Sequence, residues 1–239
     1  MTRFLLWDLD GTLLPADSEL LIREYLTLLA NEVSFLVDPK VFITELQNAT
    51  WKMITGGNGL ETNETLFWKE FIPRINLKRS ALEPLLNQFY QQKYNLLASL
   101  VKPSPMSLRC IEAAIEHGYV NVLATNPVFP LVALKQRLKW INLDESHFAL
   151  ITSLENMHYC KPKLEYYAEI LRLLKAEPNQ CLMIGNDVDE DLVAGNLGMA
   201  TFLLEGYVLN RNCISPRSTY QGTWDDLYAL ITQRAFKEY

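Results

Sequence analysis

Cysteine is scarce. The 239-residue chain holds four, Cys110, Cys160, Cys181 and Cys213, and none stands at C-x-x-C or another metal-ligand spacing. Thiolate metal sites are therefore not expected, and free thiols in a reducing cytoplasm are. Positive charge is also short. Lys and Arg number 22 against 28 Asp and Glu, a net charge of −6, so the chain has no general attraction for nucleic acid polymers or anionic lipid. Long hydrophobic runs are missing. The one uncharged stretch, residues 118–134, is broken by Asn121, Thr125, Asn126, Pro127 and Pro130, which suits a buried strand, a loop and a helix start rather than a membrane span. The N-terminus reaches Asp8 directly after Phe4-Leu5-Leu6-Trp7, too short a run for a signal-peptide core. Neither Gly (10) nor Pro (11) is in excess, which excludes collagen-like and low-complexity chains. What is present is ordinary globular material, 49% apolar and 21% charged. At ~150 residues per domain the length makes roughly one and a half domains.

Phe4–Trp7 reads as a strand buried on both faces, ending in Asp8-Leu9-Asp10-Gly11-Thr12. From about Pro15 to Leu100 the apolar residues recur at helical spacing, as in Leu21, Tyr25, Leu28 and Leu29, and no strand is evident. Asp38-Pro39 is an N-cap followed by proline at the first helical position, and Gly56-Gly57-Asn58-Gly59 is a break. Lys102-Pro103-Ser104-Pro105 reads as a boundary. Strand and helix then alternate. Helices are expected near 107–117, 129–140, 162–174, 190–197 and 224–236, and strands near 120–124, 148–151, 181–184 and 200–204. Such alternation predicts an α/β fold, a doubly wound parallel sheet covered on both faces, with functional residues at the carboxyl ends of its strands.

The residues at those ends carry chemistry. Asp8 and Asp10 lie two apart, and in an extended segment their side chains share a side. Two carboxylates crowded there repel unless one is protonated or a cation lies between them. The pattern suits Mg²⁺, or a nucleophile beside a general acid/base, as well as a plain Asx-rich turn. Thr125-Asn126 follows the next strand, where a hydroxyl and backbone N–H groups could bind an oxyanion or simply cap a helix. Lys161 precedes a helix start, an unfavourable place for a cation unless an anion is near. Lys163, in the first turn, is expected to face solvent. Gly185-Asn186-Asp187-Val188-Asp189-Glu190-Asp191 packs four acids into positions 187–191, where a helix dipole or a metal site would both accept them. Asp187 and Asp191 share a face if the helix has begun.

In this order, FLLWDLDGTLL, VLATN, CKPK and MIGNDVDED resemble the four motifs of the haloacid dehalogenase-like (HAD) hydrolase superfamily, over residues 1–14 and about 103–237. The resemblance implies a Rossmann-like three-layer core. It makes Asp8 the nucleophile that forms an aspartyl-phosphate and Asp10 the general acid/base. Thr125, with the backbone of Asn126, would bind the transferring phosphoryl group, and Lys161 would offset its charge. Asp8, the main-chain carbonyl of Asp10, and Asp187 with Asp191 would hold Mg²⁺. The last motif commonly opens Gly-Asp, whereas here Asn186 intervenes. Either Asp187 is the direct ligand, or Asn186 takes its place and Asp191 is the main acid; an anionic oxygen favours Asp187. Cys160 stands where glycine is common and is read as a buried thiol.

Asp10 and Thr125 are 115 positions apart, far more than a βαβ unit of ~30 residues needs. The surplus, residues 15–102, resembles the family's helical C1 cap, a lid that excludes water and selects substrate. An acid at Asp10 resembles the phosphatase and phosphomutase branches; dehalogenases lack it because a leaving halide needs no proton. The reading is a Mg²⁺-dependent phosphatase of a small phosphorylated metabolite, cytoplasmic, monomer or dimer. A sugar-phosphate mutase of the β-phosphoglucomutase kind is the alternative, and a non-catalytic phospho-ligand binding protein a distant third. Arg23, Trp51, Lys52, Asn58 and Trp68 are cap candidates for specificity, none singled out.

Overall fold

The computed structural model describes residues 3–234. Six parallel strands form one sheet: β1 (Arg3–Trp7), β2 (Tyr119–Leu123), β3 (Leu150–Ile151), β4 (Cys181–Gly185), β5 (Ala200–Leu204) and β6 (Tyr220–Gly222). Their order is β3-β2-β1-β4-β5-β6. The doubly wound reading holds, with one strand more than the apolar runs predict. β6 is three residues at the sheet edge, Tyr-Gln-Gly, with Gln221 exposed and only Gly222 buried, so it carries no apolar run to be read.

The central strand β1 shows why the alternating faces work. Leu5 and Trp7 pack into one core layer, with Ile111 of α5 (Pro105–Glu116), Leu138 of α6 (Leu131–Trp140) and Leu227 of α8 (Trp224–Thr232). Phe4 and Leu6 pack into the other, with Tyr166, Tyr167 and Ile170 of α7 (Leu164–Leu174). A side-chain period of two delivers alternate residues of one strand to opposite layers. The final helix was expected to run through Phe236, which lies outside the described residues.

Between β1 and α5 the chain is helical: α1 (Ser18–Glu32), α2 (Pro39–Gly56), α3 (Asn63–Ile75), α4 (Arg79–Gln92) and a 3₁₀ stretch over Tyr94–Leu100. Asp17, Asp38 and Thr62 cap the first three of these through their side chains. This block is tied to the rest of the chain by polar bonds as well as apolar packing. At the start of α3, the N–H groups of Asn63 and Glu64 donate to Met157 O and Leu154 O, each at 2.8 Å. Lys163 does not face solvent. Its Nζ donates to Thr55 O and Gly57 O, both at 2.9 Å, at the C-terminal end of α2, where a helix favours a cation.

Two other expectations shift. α7 begins at Leu164 rather than Pro162, so Lys161 sits in the loop before it. Residues 192–197 form 3₁₀ turns rather than an α-helix, since Asp191 and its neighbours spend their polar groups on the loop. The Gly56–Gly59 break joins α2 to α3 but also abuts the segment leading to Lys161. A Cβ on Gly57 would lie 2.7 Å from His158 O, and one on Gly59 2.4 Å from the Tyr159 hydroxyl.

Candidate active site

Strand register sets the site. Trp7 of β1 lies level with Leu123 of β2 and Ile184 of β4. The ladder runs one step further, with Asp8 N–H donating to Ile184 O at 2.9 Å and Ala124 N–H to Trp7 O at 2.7 Å. Asp8, Thr125 and the Gly185-Asn186-Asp187 turn therefore emerge side by side at the carboxyl edge of the sheet.

Lys161 arrives there from the loop after β3. Its Nζ is fully buried and donates to Asp8 Oδ1 at 2.8 Å and Asp191 Oδ1 at 2.6 Å. Burial alone would depress the ammonium, but the Asp191 and Asp8 carboxylates outweigh it and hold Lys161 well above its usual range, so it stays charged. Burial pushes the Asp191 carboxyl upward while Lys161 pulls it down. No donor among the described residues is bonded to the other Asp8 oxygen.

β1 ends at Trp7, and beyond it Asp8 and Asp10 bond to different cations of the protein, Lys161 and Arg137. Asp10 Oδ1 accepts from Arg137 Nη2 at 2.5 Å. Each acid thus has a cation of the protein's own, which removes part of the repulsion argument for a metal. Burial raises the Asp10 carboxyl, with Asp8 adding to it and Arg137 opposing. Arg137 is itself 1% exposed, its guanidinium 4.6 Å from the Phe129 ring centroid. Sequence reasoning passed over it. The available signal was an arginine in the buried stripe Ala133, Leu134, Arg137, Leu138 of α6.

Thr125 is buried, and its carbonyl accepts from the hydroxyls of Thr152 (2.8 Å) and Tyr166 (2.9 Å), which pins the turn after β2. Asn126 Nδ2 donates to Glu190 Oε2 at 3.0 Å. The acidic motif divides by task. Asn186 takes a hydrogen bond from Thr12 Oγ1 at 2.8 Å and donates to Tyr207 O at 2.7 Å, tying the first motif to the last. Asp187 Oδ1 accepts from the N–H groups of Asp189 and Glu190, and Oδ2 from Arg211 Nη1 at 2.6 Å. Asp191 Oδ2 accepts from Asp187 N–H at 2.9 Å. Asp187 and Asp191 are thus one helical turn apart and bonded to each other, yet one carboxylate meets Arg211 and the other Lys161.

A divalent cation fits this donor set through few groups. Asn186 and Asp191 have both side-chain ends committed. Asp8 offers one open oxygen, and Asp187 offers Oδ2, which here accepts from the exposed Arg211. No three acidic, histidine or cysteine side chains group as a metal cage among the described residues. Cys160 is buried, and burial pushes its thiol up to about 12. Among the described residues no helix is long and apolar enough to cross a membrane.

The chain is 28% identical over 114 residues to glyceraldehyde 3-phosphate phosphatase of Methanothermobacter thermautotrophicus, which covers 46% of this chain and 48% of that protein. It spans about half the length of the curated relatives it matches. Among solved structures, a HAD phosphatase from Thermococcus onnurineus superposes with a TM-score of 0.56 at 21% identity over the whole of both chains. A 2-haloacid dehalogenase from Pseudomonas syringae reaches 0.60 at 16% identity, covering 98% of this chain and all of that one. Both share the fold. A family model for haloacid dehalogenase-like hydrolases matches residues 2–197, and the chain belongs to that family.

Proposed function

We propose that this protein hydrolyses a small-molecule phosphate monoester through an aspartyl-phosphate on Asp8, with Mg²⁺ as cofactor. The observation that carries the reading is the placement of Asp8. Its carboxylate accepts from buried Lys161 at 2.8 Å, leaves one oxygen open, and emerges beside the turn that carries Thr125 at the carboxyl edge of the sheet. That oxygen attacks phosphorus as the ester P–O bond breaks. Thr125 and the Asn126 N–H hold the phosphoryl oxygens, and Lys161 offsets their charge. Asp10, raised by burial, donates its proton to the leaving oxygen and then takes one from the water that releases Asp8. Asp8, the Asp10 carbonyl and Asp187 would hold Mg²⁺, which supplies positive charge to the transferring phosphoryl group. Residues 15–102 act as the lid that excludes water. The phosphatase name of a relative supports the branch.

The reading is tested with a phosphate-ester panel and Mg²⁺. Phosphate is released from at least one ester and lost on chelation, and 2-chloropropionate yields no halide. Halide release with no phosphate release would place the reaction in the dehalogenase branch instead.

The two acids of the last motif are expected to separate. Asp187→Asn raises the Mg²⁺ concentration for half-maximal activity about tenfold or more, and calorimetry shows the same weakening of Mg²⁺ binding. Asp191→Asn leaves the Mg²⁺ titration in place, because both its oxygens serve Lys161 and the Asp187 N–H. A shift in Asp191→Asn alone would reverse the assignment.

A further inference from the structure

Outside the charged cluster, an apolar-lined cavity of about 370 Å³ lies between the helical block and the loops at the carboxyl edge of the sheet. Its size falls in the range of small-molecule sites, roughly 300–1,000 Å³. All four long helices of the block reach it, and so do the loops that follow β2 and β3, at Val128–Pro130 and Leu154–Glu155. Those loops leave the same edge of the sheet as the phosphoryl site, and Val128 is three residues from Thr125.

Its inner wall is shared with the site. Phe129 lines the cavity on one face, and its ring carries the Arg137 guanidinium that holds Asp10. Tyr25 packs on Phe129 with ring centroids 5.3 Å apart, and its hydroxyl meets that of Tyr90 at 2.7 Å. One layer of rings therefore separates the cavity from the Arg137–Asp10 pair. At the outer end Trp51 is 65% exposed, an apolar lip open to solvent.

The chemistry of the lining is one-sided. No Lys, Arg or His contributes to it. Its acids are already used: Glu64 and Glu83 by Arg79, and Glu155 by the N–H of Leu131 at the start of α6. Arg79, over the Trp68 ring, is already paired with Glu64 and Glu83, which leaves little positive charge for a second phosphate or a carboxylate, while burial of carbon surface there is favourable.

We propose that this cavity receives the leaving group of the phosphate ester and that this group is an apolar alcohol, aryl or alkyl. The assignment rests on the phosphatase reading and narrows it. It also argues against the bisphosphate intermediate of a sugar-phosphate mutase, whose second phosphate would find no unpaired cation in the lining. The Tyr25–Phe129 layer is the part that must yield for the chain of such an ester to pass from Asp8 into the cavity.

The test compares kcat/KM for esters with a common phosphate and different alcohols: n-alkyl phosphates of increasing length, 1-naphthyl phosphate, glycerol phosphate, glucose 6-phosphate and fructose 1,6-bisphosphate. We expect kcat/KM to rise about three- to fourfold per added methylene until the cavity is filled, with naphthyl phosphate well above the sugar esters. Thr50→Phe and, independently, Ile54→Phe fill the cavity from half-buried positions on α2. Each should lower the ratio of hexyl to glycerol phosphate turnover toward one. Binding of 1-naphthol, followed by tryptophan fluorescence, should weaken in the same variants. A flat alkyl series, or sugar phosphates turned over as well as the aryl ester, overturns the leaving-group assignment and leaves the phosphatase reading standing. No turnover of any ester in the set by the folded, Mg²⁺-loaded protein overturns both.

Discussion

Asp8→Asn abolishes turnover, by about 10⁴-fold or more, while the melting curve stays cooperative. The substitution keeps the shape of the side chain. Its amide oxygen can still accept from Lys161 at the Asp8 Oδ1 position, 2.8 Å away, and the backbone bond to Ile184 is untouched. What disappears is the anionic oxygen that would bond to phosphorus, and with it any covalent phosphoryl-enzyme. Lys161 keeps its second partner, Asp191, so no buried charge is stranded. The variant therefore separates chemistry from folding. Steady-state phosphate release, followed on the substrate identified in the panel, decides the matter: an unchanged kcat in a folded Asp8→Asn protein would remove the nucleophile role and with it the aspartyl-phosphate.

How much of this was legible in the residues depends on whether a signal is local. β1 was readable because Phe4–Trp7 is a continuous apolar run, as a central strand buried on both faces requires. The order of Asp8, Thr125, Lys161 and Asp187 at successive strand ends was readable because a parallel sheet delivers strand ends to one edge. What each acid bonds to was not. Asp8 and Asp10 look equivalent in sequence, yet one takes Lys161 from 153 positions away and the other Arg137 from 127. Those partners are chosen by packing of α6 and α7 on the sheet, and no short-range pattern encodes it. The contact of Lys163 with α2 is hidden for the same reason, since the helix end it closes is more than 100 residues earlier. Asn186 bonds to Thr12 across 174 positions, and Gly11 brings the backbone so near that a Cβ there would sit 2.4 Å from Asn186 Nδ2. Only the folded turn reveals that this amide links two loops.

Lys161→Met is expected to damage both folding and function, and the two losses can be told apart. Lys161 and Asp191 are each 1% exposed and Asp8 is 11% exposed, so solvent gives little relief to any of the three. With the ammonium present, two carboxylates share one cation. Without it, Asp191 keeps only the Asp187 N–H and Asp8 loses its one side-chain donor. Leaving a buried carboxylate without its partner costs about 3–5 kcal/mol, large beside a total stability of roughly 5–15 kcal/mol. Urea unfolding should show that loss as a lower midpoint at unchanged slope. Adding Asp191→Asn removes one stranded charge, and the double variant should recover stability relative to Lys161→Met, the non-additive signature of two side chains in contact. Phosphate release should not recover, because the charge that faces the transferring phosphoryl group is still absent. A Lys161→Met protein as stable as the parent would mean that the three charges are solvated in solution rather than locked together. A double variant that regained turnover along with stability would mean that Lys161 serves the fold and not the reaction.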